Sequence, residues 1–128
     1  MSRPPAAPTV SVIIPFYGDP APALTLVAAL RSQKPRHLHE IIVSDDCSPT
    51  PFPETPGVTI VRRRSNGGFA QAVNSGANAA TGDLLLVLNS DLELVPGFVD
   101  RLVAGARPWL PALVSCPLVS PDGTPAWP

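Results

Sequence analysis

Two acidic clusters carry the chemistry that this sequence suggests. Asp45 and Asp46 are adjacent, and Asp91 and Glu93 stand two apart, just after Asn89 and Ser90. Side chains two apart on an extended segment project to the same side, so Asp91 and Glu93 can share one cation. A carboxylate with an open flank is the usual holder of Mg²⁺ or Mn²⁺ when substrate phosphate oxygens complete the shell. The competing role for Asp91 is to cap a turn before the next helix. Asp45 and Asp46 can accept hydrogen bonds from a base or ribose, or from the backbone N–H groups of their own loop.

Three further stretches could meet a ligand. Ser65-Asn66-Gly67-Gly68 opens a helical pattern whose free N–H groups and positive dipole end suit an anion or the polar groups of a nucleotide. Ser65 or Asn66 equally suits an ordinary N-cap. Arg62-Arg63-Arg64 either grips phosphate or forms a solvated sheet edge that discourages pairing. Tyr17 either stacks on a base or closes the sheet rim as a partly buried aromatic. His37 and His39 have no carboxylate or serine near them in sequence to form a triad, so they read as exposed residues of a loop before the second strand.

These residues need strands and helices to bring them together. Leu84-Leu85-Leu86-Val87-Leu88 lies between Gly82-Asp83 and the second acidic cluster. It is too short for a typical helix and too uniformly apolar for a half-exposed strand, which predicts a central strand buried on both faces with the acids at its carboxyl tip. Val10 to Phe16 reads as the first strand, Ala21 to Ser32 as an amphipathic helix, and Glu40 to Ser44 as the second strand, making a right-handed parallel β-α-β unit. Val58 to Val61 is a short edge strand, about Phe69 to Ala80 a helix with a small-residue face, and Pro96-Gly97 the start of a helix reaching about Arg107. Leu113 to Cys116 reads as a fifth strand, and Pro121 to Thr124 as a turn. Ligands of open α/β sheets gather outside the carboxyl ends of the strands, so parallel strands deliver both acidic clusters to one edge.

Composition is compatible with this layout and narrows the partners. The chain has 128 residues, 45% hydrophobic and 15% charged, with a net charge of -1. That fits one compact sheet covered by helices and offers no basic, aromatic-rich face for nucleic acid. Residues 1–9 read as a flexible Pro- and Ala-rich lead-in without the apolar core of a signal peptide, and residues 10–128 as the folded unit. No run approaches the roughly 18 apolar residues of a membrane span. Cys47 and Cys116 lack metal-type spacing and point to free thiols in a reducing compartment, so a cytoplasmic location is expected.

Val12-Ile13-Ile14-Pro15-Phe16-Tyr17, Ile42-Val43-Ser44-Asp45-Asp46-Cys47-Ser48, Asn66-Gly67-Gly68-Phe69-Ala70 with Asn74 and Gly76, and Gly82-Asp83 through Asn89-Ser90-Asp91 follow one another in order. Together they closely resemble the family 2 glycosyltransferases of GT-A fold, over residues 10 to about 124. The Asn-Gly-Gly-Phe-Ala opening and the asparagine at 89 look most like the bacterial rhamnosyltransferase branch, which works in cell-wall or polysaccharide biosynthesis. The resemblance implies a Rossmann-like three-layer sandwich with a mostly parallel sheet. It also implies a nucleotide-diphosphate sugar donor, dTDP-, UDP- or GDP-linked, a glycan or lipid-linked acceptor, and Mn²⁺ or Mg²⁺.

Carried over by position, Pro15 and Tyr17 would line the base pocket, with Asp45 or Asp46 on the base or ribose and Asn66 and Ser90 alongside. Asp91 would be the main metal ligand, in the position of the family's Asp-x-Asp motif, and Glu93 a second candidate. Asn89 replaces the motif's first acid with a neutral amide. The family's acceptor-side base lies well beyond that motif, and neither Asp100 nor Asp122 matches it. The chain is therefore expected to be the donor-binding half, peripheral to the inner membrane through its acceptor or through segments outside this chain. A sheet edge left open near its C-terminus would favour self-association. Two rivals remain: a non-catalytic nucleotide-binding or interaction module on the same fold, and a phosphoryl-accepting receiver domain, which lacks its late-strand lysine here.

Overall fold

The computed structural model describes residues 7–116 and 118–124. The strands β1 (Val10–Phe16), β2 (Leu38–Asp45), β3 (Val58–Arg62) and β4 (Leu84–Val87) form one sheet in the order β3-β2-β1-β4, and every pairing is parallel. Helix α1 (Ala21–Ser32) joins β1 to β2, and α2 (Phe69–Ala79) joins β3 to β4. Helix α3 (Phe98–Ala106) follows and passes into a 3₁₀ turn, Arg107–Trp109. The bounds of α1 match the expected helix, and β2 starts two residues earlier than expected, so His39 lies in the strand rather than in a loop.

Alternation along the strands sorts the side chains into two faces. Val10, Val12, Ile14 and Phe16 of β1 join Ile41 and Val43 of β2 in a core with Ala23, Leu26, Val27 and Leu30 of α1 and Val99 and Val103 of α3. Full burial of each large aliphatic side chain among these is worth about 1.5–3 kcal/mol. On the other face α2 lies close against β1 and β2, and its Gly76 sits over Ile13 and Ser44. The result is the helix–sheet–helix sandwich that the sequence predicts.

Four expectations change. β4 is an edge strand, bonded only to β1 among the described residues, and Leu85 and Val87 are 54% and 38% exposed rather than buried. The open edge expected near the C-terminus is therefore that of β4 itself. Leu113 to Cys116 forms no strand, and Leu113 is fully exposed. Of the expected lead-in, residues 1–6 lie outside the described residues, but Pro8 is buried and Thr9 exchanges hydrogen bonds with Asp83, so the fold begins before Val10. The turn at 121–124 is present, closed by Ser120 N–H donating to the Thr124 carbonyl at 2.7 Å.

Candidate functional site

The strand order reverses direction between β1 and β4, because the chain builds outward from β1 first to β2 and β3 and later to β4 on the other side. Such a switch point opens a crevice above the carboxyl ends of the two strands. Hydrogen bonds beyond the strand ends hold the tips in line: Asp46 N–H to the Phe16 carbonyl at 2.9 Å, Leu88 N–H to the Ile13 carbonyl at 3.0 Å and Arg63 N–H to the Asp45 carbonyl at 2.8 Å. The Ser48 hydroxyl accepts Gly18 N–H at 2.6 Å, binding the turn after β1 to the loop after β2.

On the β1 side of the crevice, Pro15 is half-buried and Tyr17 is 57% exposed. On the β4 side, Asn89 to Leu92 form a turn with Asn89 and Asp91 exposed and Ser90 half-buried. From Asp91 to Val95 exposed and half-buried residues alternate, so Asp91 and Glu93 do share the outer face while Leu92 and Leu94 lean on the core. Gln33, at the end of α1, pins the far end of this segment by donating from Nε2 to the Val95 carbonyl at 2.9 Å and accepting Phe98 N–H on Oε1 at 3.1 Å. Sequence reasoning overlooked Gln33, and only its place just past a helix end hinted at such a role.

No protein hydrogen bond reaches the Asp91 carboxylate among the described residues, and α3 starts seven positions later, so the capping role is not the one it plays. Among the described residues no three His, Cys, Asp or Glu side chains gather into a closed metal cage. One exposed carboxylate at a crevice instead fits a Mg²⁺- or Mn²⁺-type ion that takes most of its oxygens from phosphate and water.

The acids at the tip of β2 do something else. Asp45 is fully buried: Oδ1 accepts Ser48 N–H at 2.9 Å, and Oδ2 accepts Phe52 N–H at 2.9 Å and the Arg62 guanidinium at 2.8 Å. Phe52, held this way, packs edge-on against Phe16 with ring centroids 4.9 Å apart. Asp45 is thus a staple for the proline-rich loop and has no surface to offer a base or ribose. Asp46 is 4% exposed and accepts Gly67 N–H at 3.0 Å, Gly68 N–H at 2.8 Å and Arg63 Nε–H at 2.8 Å. Burial pushes the Asp46 carboxyl up, but those two N–H groups and the guanidinium outweigh it and hold the group below the usual aspartate range.

Two expectations are corrected by this arrangement. Gly68, not Ser65 or Asn66, is the N-cap of α2, and no side chain of its own segment caps it. The N–H groups suited to a ligand anion already face Asp46, leaving Asn66 exposed on the loop above. Arg62 and Arg63 are ion-paired to Asp45 and Asp46 rather than forming a free solvated run, with Arg63 half-buried and Arg62, like Arg64, exposed to water. Register explains the pairing, since Asp45 lies beside Arg62 on neighbouring parallel strands.

Asp100 is equally committed. Its oxygens accept the N–H groups of Arg36 and His37 at 2.9 and 3.1 Å, at the end of the sheet away from the crevice. Asp122 accepts Thr124 N–H within the final turn. A mostly apolar hollow between β4, α3 and residues 110–114, with Asp83 on its lining, does not include Asp91 or Glu93.

A family model described as Glycosyl transferase family 2 matches residues 11–126. Among curated proteins, the O-antigen biosynthesis protein RfbC of Myxococcus xanthus is 33% identical over 128 residues, covering 91% of this chain and 10% of that protein. Undecaprenyl-phosphate 4-deoxy-4-formamido-L-arabinose transferase of Serratia proteamaculans is 32% identical and covers 84% of this chain and 36% of its own length. Among solved structures, a mannosyltransferase of Pyrobaculum calidifontis in complex with GDP-Man and Mn²⁺ superposes with a TM-score of 0.63 at 22% identity, over 86% of this chain and 34% of that one. Glucosyl-3-phosphoglycerate synthase of Mycobacterium tuberculosis, with Mn²⁺ and UDP, gives 0.64 at 23% identity, over 80% and 40%. The chain therefore spans a tenth to about a third of the curated relatives described here and shares the fold of the two structures.

Proposed function

For a chain that belongs to glycosyl transferase family 2, we propose that the crevice between β1 and β4 is the donor site of a nucleotide-sugar-dependent glycosyltransferase. The observation that carries this reading is the Asp91 carboxylate, exposed and reached by no hydrogen bond among the described residues, on a turn at the topological switch point, across from the exposed ring of Tyr17. In this reading Pro15 and Tyr17 line the base pocket, and Asp46 offers its remaining acceptor position to the base. Asn66 closes the pocket from the α2 side, and the Asn89 amide and Ser90 hydroxyl meet ribose or diphosphate.

Asp91 would hold Mn²⁺ or Mg²⁺, with Glu93 beside it on the same face. When bound, the ion screens the charge of the departing diphosphate. Transfer is a displacement at the anomeric carbon. The acceptor hydroxyl oxygen forms the new bond on the face opposite the diphosphate, and the bond to the phosphate oxygen breaks with its electrons on the nucleotide. The hydroxyl proton passes to a carboxylate base, so the anomeric configuration inverts. Asp100 and Asp122 hold loops together, so in this reading neither is that base. The names of the relatives support a glycan or lipid-linked acceptor, consistent with work at the cytoplasmic face of a membrane.

The test is calorimetric titration with UDP, dTDP and GDP, each with and without Mn²⁺, on wild type and Asp91→Ala. Metal-dependent binding of one nucleotide, weakened at least tenfold in the variant, is the expected result. Absence of binding at millimolar nucleotide, or binding indifferent to Asp91, would refute the donor-site reading and favour a non-catalytic module on the same fold.

A further inference from the structure

Arg63 makes more side-chain contacts than any residue of the crevice requires for solubility or edge protection. It follows β3 and its guanidinium turns back beneath the glycine loop. Nε donates to Asp46 Oδ1 at 2.8 Å, one terminal nitrogen donates to Gln71 Oε1 at 2.7 Å, and the other reaches the Ser75 hydroxyl and the Gln71 carbonyl, both on α2. A Cβ at Gly67 would come within 2.7 Å of the same guanidinium, so the loop rests directly on it. Arg63 thereby ties the β2 tip, the Asn66-Gly67-Gly68 loop and the first turns of α2 into one unit.

The plane of the Asp46 carboxylate is fixed by this unit. Oδ1 takes Arg63 and the shorter branch of a shared Gly67 N–H at 3.0 Å, and Oδ2 takes Gly68 and only the longer 3.2 Å branch, so three donors meet about four lone-pair positions and Oδ2 is the less engaged oxygen. Uracil, thymine and guanine each carry a ring N–H beside a carbonyl, which donates to an anion. Cytosine and adenine present a bare ring nitrogen there, whose lone pair repels one. Discrimination of this kind depends on where the acceptor lone pair points.

We propose that Arg63 is a positioning residue for base selection: by anchoring Asp46 and the Asn66-Gly67-Gly68 loop to α2, it aims the carboxylate at the ring N–H of a uracil, thymine or guanine nucleotide. This rests on the donor-site reading above. Arg63 touches no substrate, and a planar fork is needed to bond the loop side and the helix side at once.

The experiment compares the nucleotide that wild type prefers among UDP, dTDP and GDP with CDP, titrated in Mn²⁺ on each variant, with thermal unfolding recorded alongside. Wild type is expected to prefer its nucleotide over CDP by at least tenfold. Arg63→Met should bring that ratio close to one by weakening the preferred nucleotide and leaving CDP unchanged, and Arg63→Lys should restore only part of it. A second variant, Gln71→Ala with Ser75→Ala, keeps the pairing of Arg63 with Asp46 but removes the two side-chain anchors on the helix, leaving only the longer contact to the Gln71 carbonyl, and should reduce the ratio even if Arg63→Met does not fold. Equal weakening of both nucleotides, or a ratio unchanged in the folded variants, would overturn the proposal and leave Arg63 a purely structural residue. Equal affinity of wild type for both nucleotides would overturn it as well. Failure of wild type to bind any nucleotide would instead defeat the donor-site reading on which it rests.

Discussion

Replacing Gly76 by alanine should destabilise this protein, although the same change in an ordinary helix interior gains about 1 kcal/mol. Gly76 is buried on the face of α2 that lies on the sheet, and a Cβ there would stand 2.7 Å from Ile13 Cγ2 and 3.4 Å from Ser44 Cβ. The first distance is about 1 Å inside comfortable carbon contact. Ile13 cannot retreat: it is fully buried in β1, with Ile42 and Val87 in register on either side. Overpacking of this kind costs about 1–3 kcal/mol, and at about 2 kcal/mol, the middle of that range, it exceeds the helix gain and leaves a net loss of about 1 kcal/mol. Gly105 in α3 is the control, because a Cβ there meets nothing within 4 Å. Gly105→Ala should therefore gain about 0.5–1 kcal/mol. For a domain of this size each kcal/mol moves Tm by roughly 4 °C, so thermal unfolding followed by circular dichroism should show the two variants shifting in opposite directions. A Gly76→Ala protein as stable as wild type would mean that α2 does not press on Ile13, and the assignment of the close-packed face would be wrong.

Two further outcomes follow from the β2 tip. Asp45→Asn puts an amide N–H against donors that the carboxylate now accepts, chiefly the Ser48 and Phe52 N–H groups, since Arg62 is exposed enough to rehydrate. The cost should be about 2–4 kcal/mol in a urea titration, and a loss below about 1 kcal/mol would show that the carboxylate does not hold the loop. Asp46 has its folded-state pKa depressed, so its contribution is fully present above the unfolded value of about 3.9 and disappears as pH falls through the lower folded value. Urea midpoints between pH 6 and pH 2.5 should stay level and then drop below about pH 4, less steeply in Asp46→Asn than in wild type; equal slopes would exclude Asp46 as a source of the drop.

Periodicity exposed the elements far better than it exposed their neighbours. Leu24, Val27 and Leu30 mark α1 because a helix repeats locally, and the apolar run of β1 likewise matches the observed strand, Val10–Phe16. The run 84–88 shows that β4 exists, but strand order depends on partners far away in the chain, so the run could not reveal that β4 lies at an edge. Paired acids at a strand tip have the same spacing whether they greet a ligand or a loop. What separates the two roles is Arg62 and Arg63, which become neighbours of Asp45 and Asp46 only through the register of β2 and β3. That charge balance was legible in principle, since the two acids and two arginines each close one of two adjacent strands. The cap of α2 was not, because it reaches Gly67 and Gly68 from a residue more than twenty positions earlier.

The two edges of the sheet are not equivalent. Beyond β3 stand Glu54, Pro56 and the arginine run, and Thr59 and Arg62 face water. β4 has neither charge nor proline between Leu84 and Val87, and Leu85 and Val87 leave aliphatic surface uncovered beside main-chain groups that pair with nothing among the described residues. Such an edge is a template, and a strand laid along it would gain ladder hydrogen bonds and cover both side chains together. Of the two edges only this one suits an added strand, which would lie next to the acidic turn that carries Asp91 and would wall the side of the crevice that β4 leaves open.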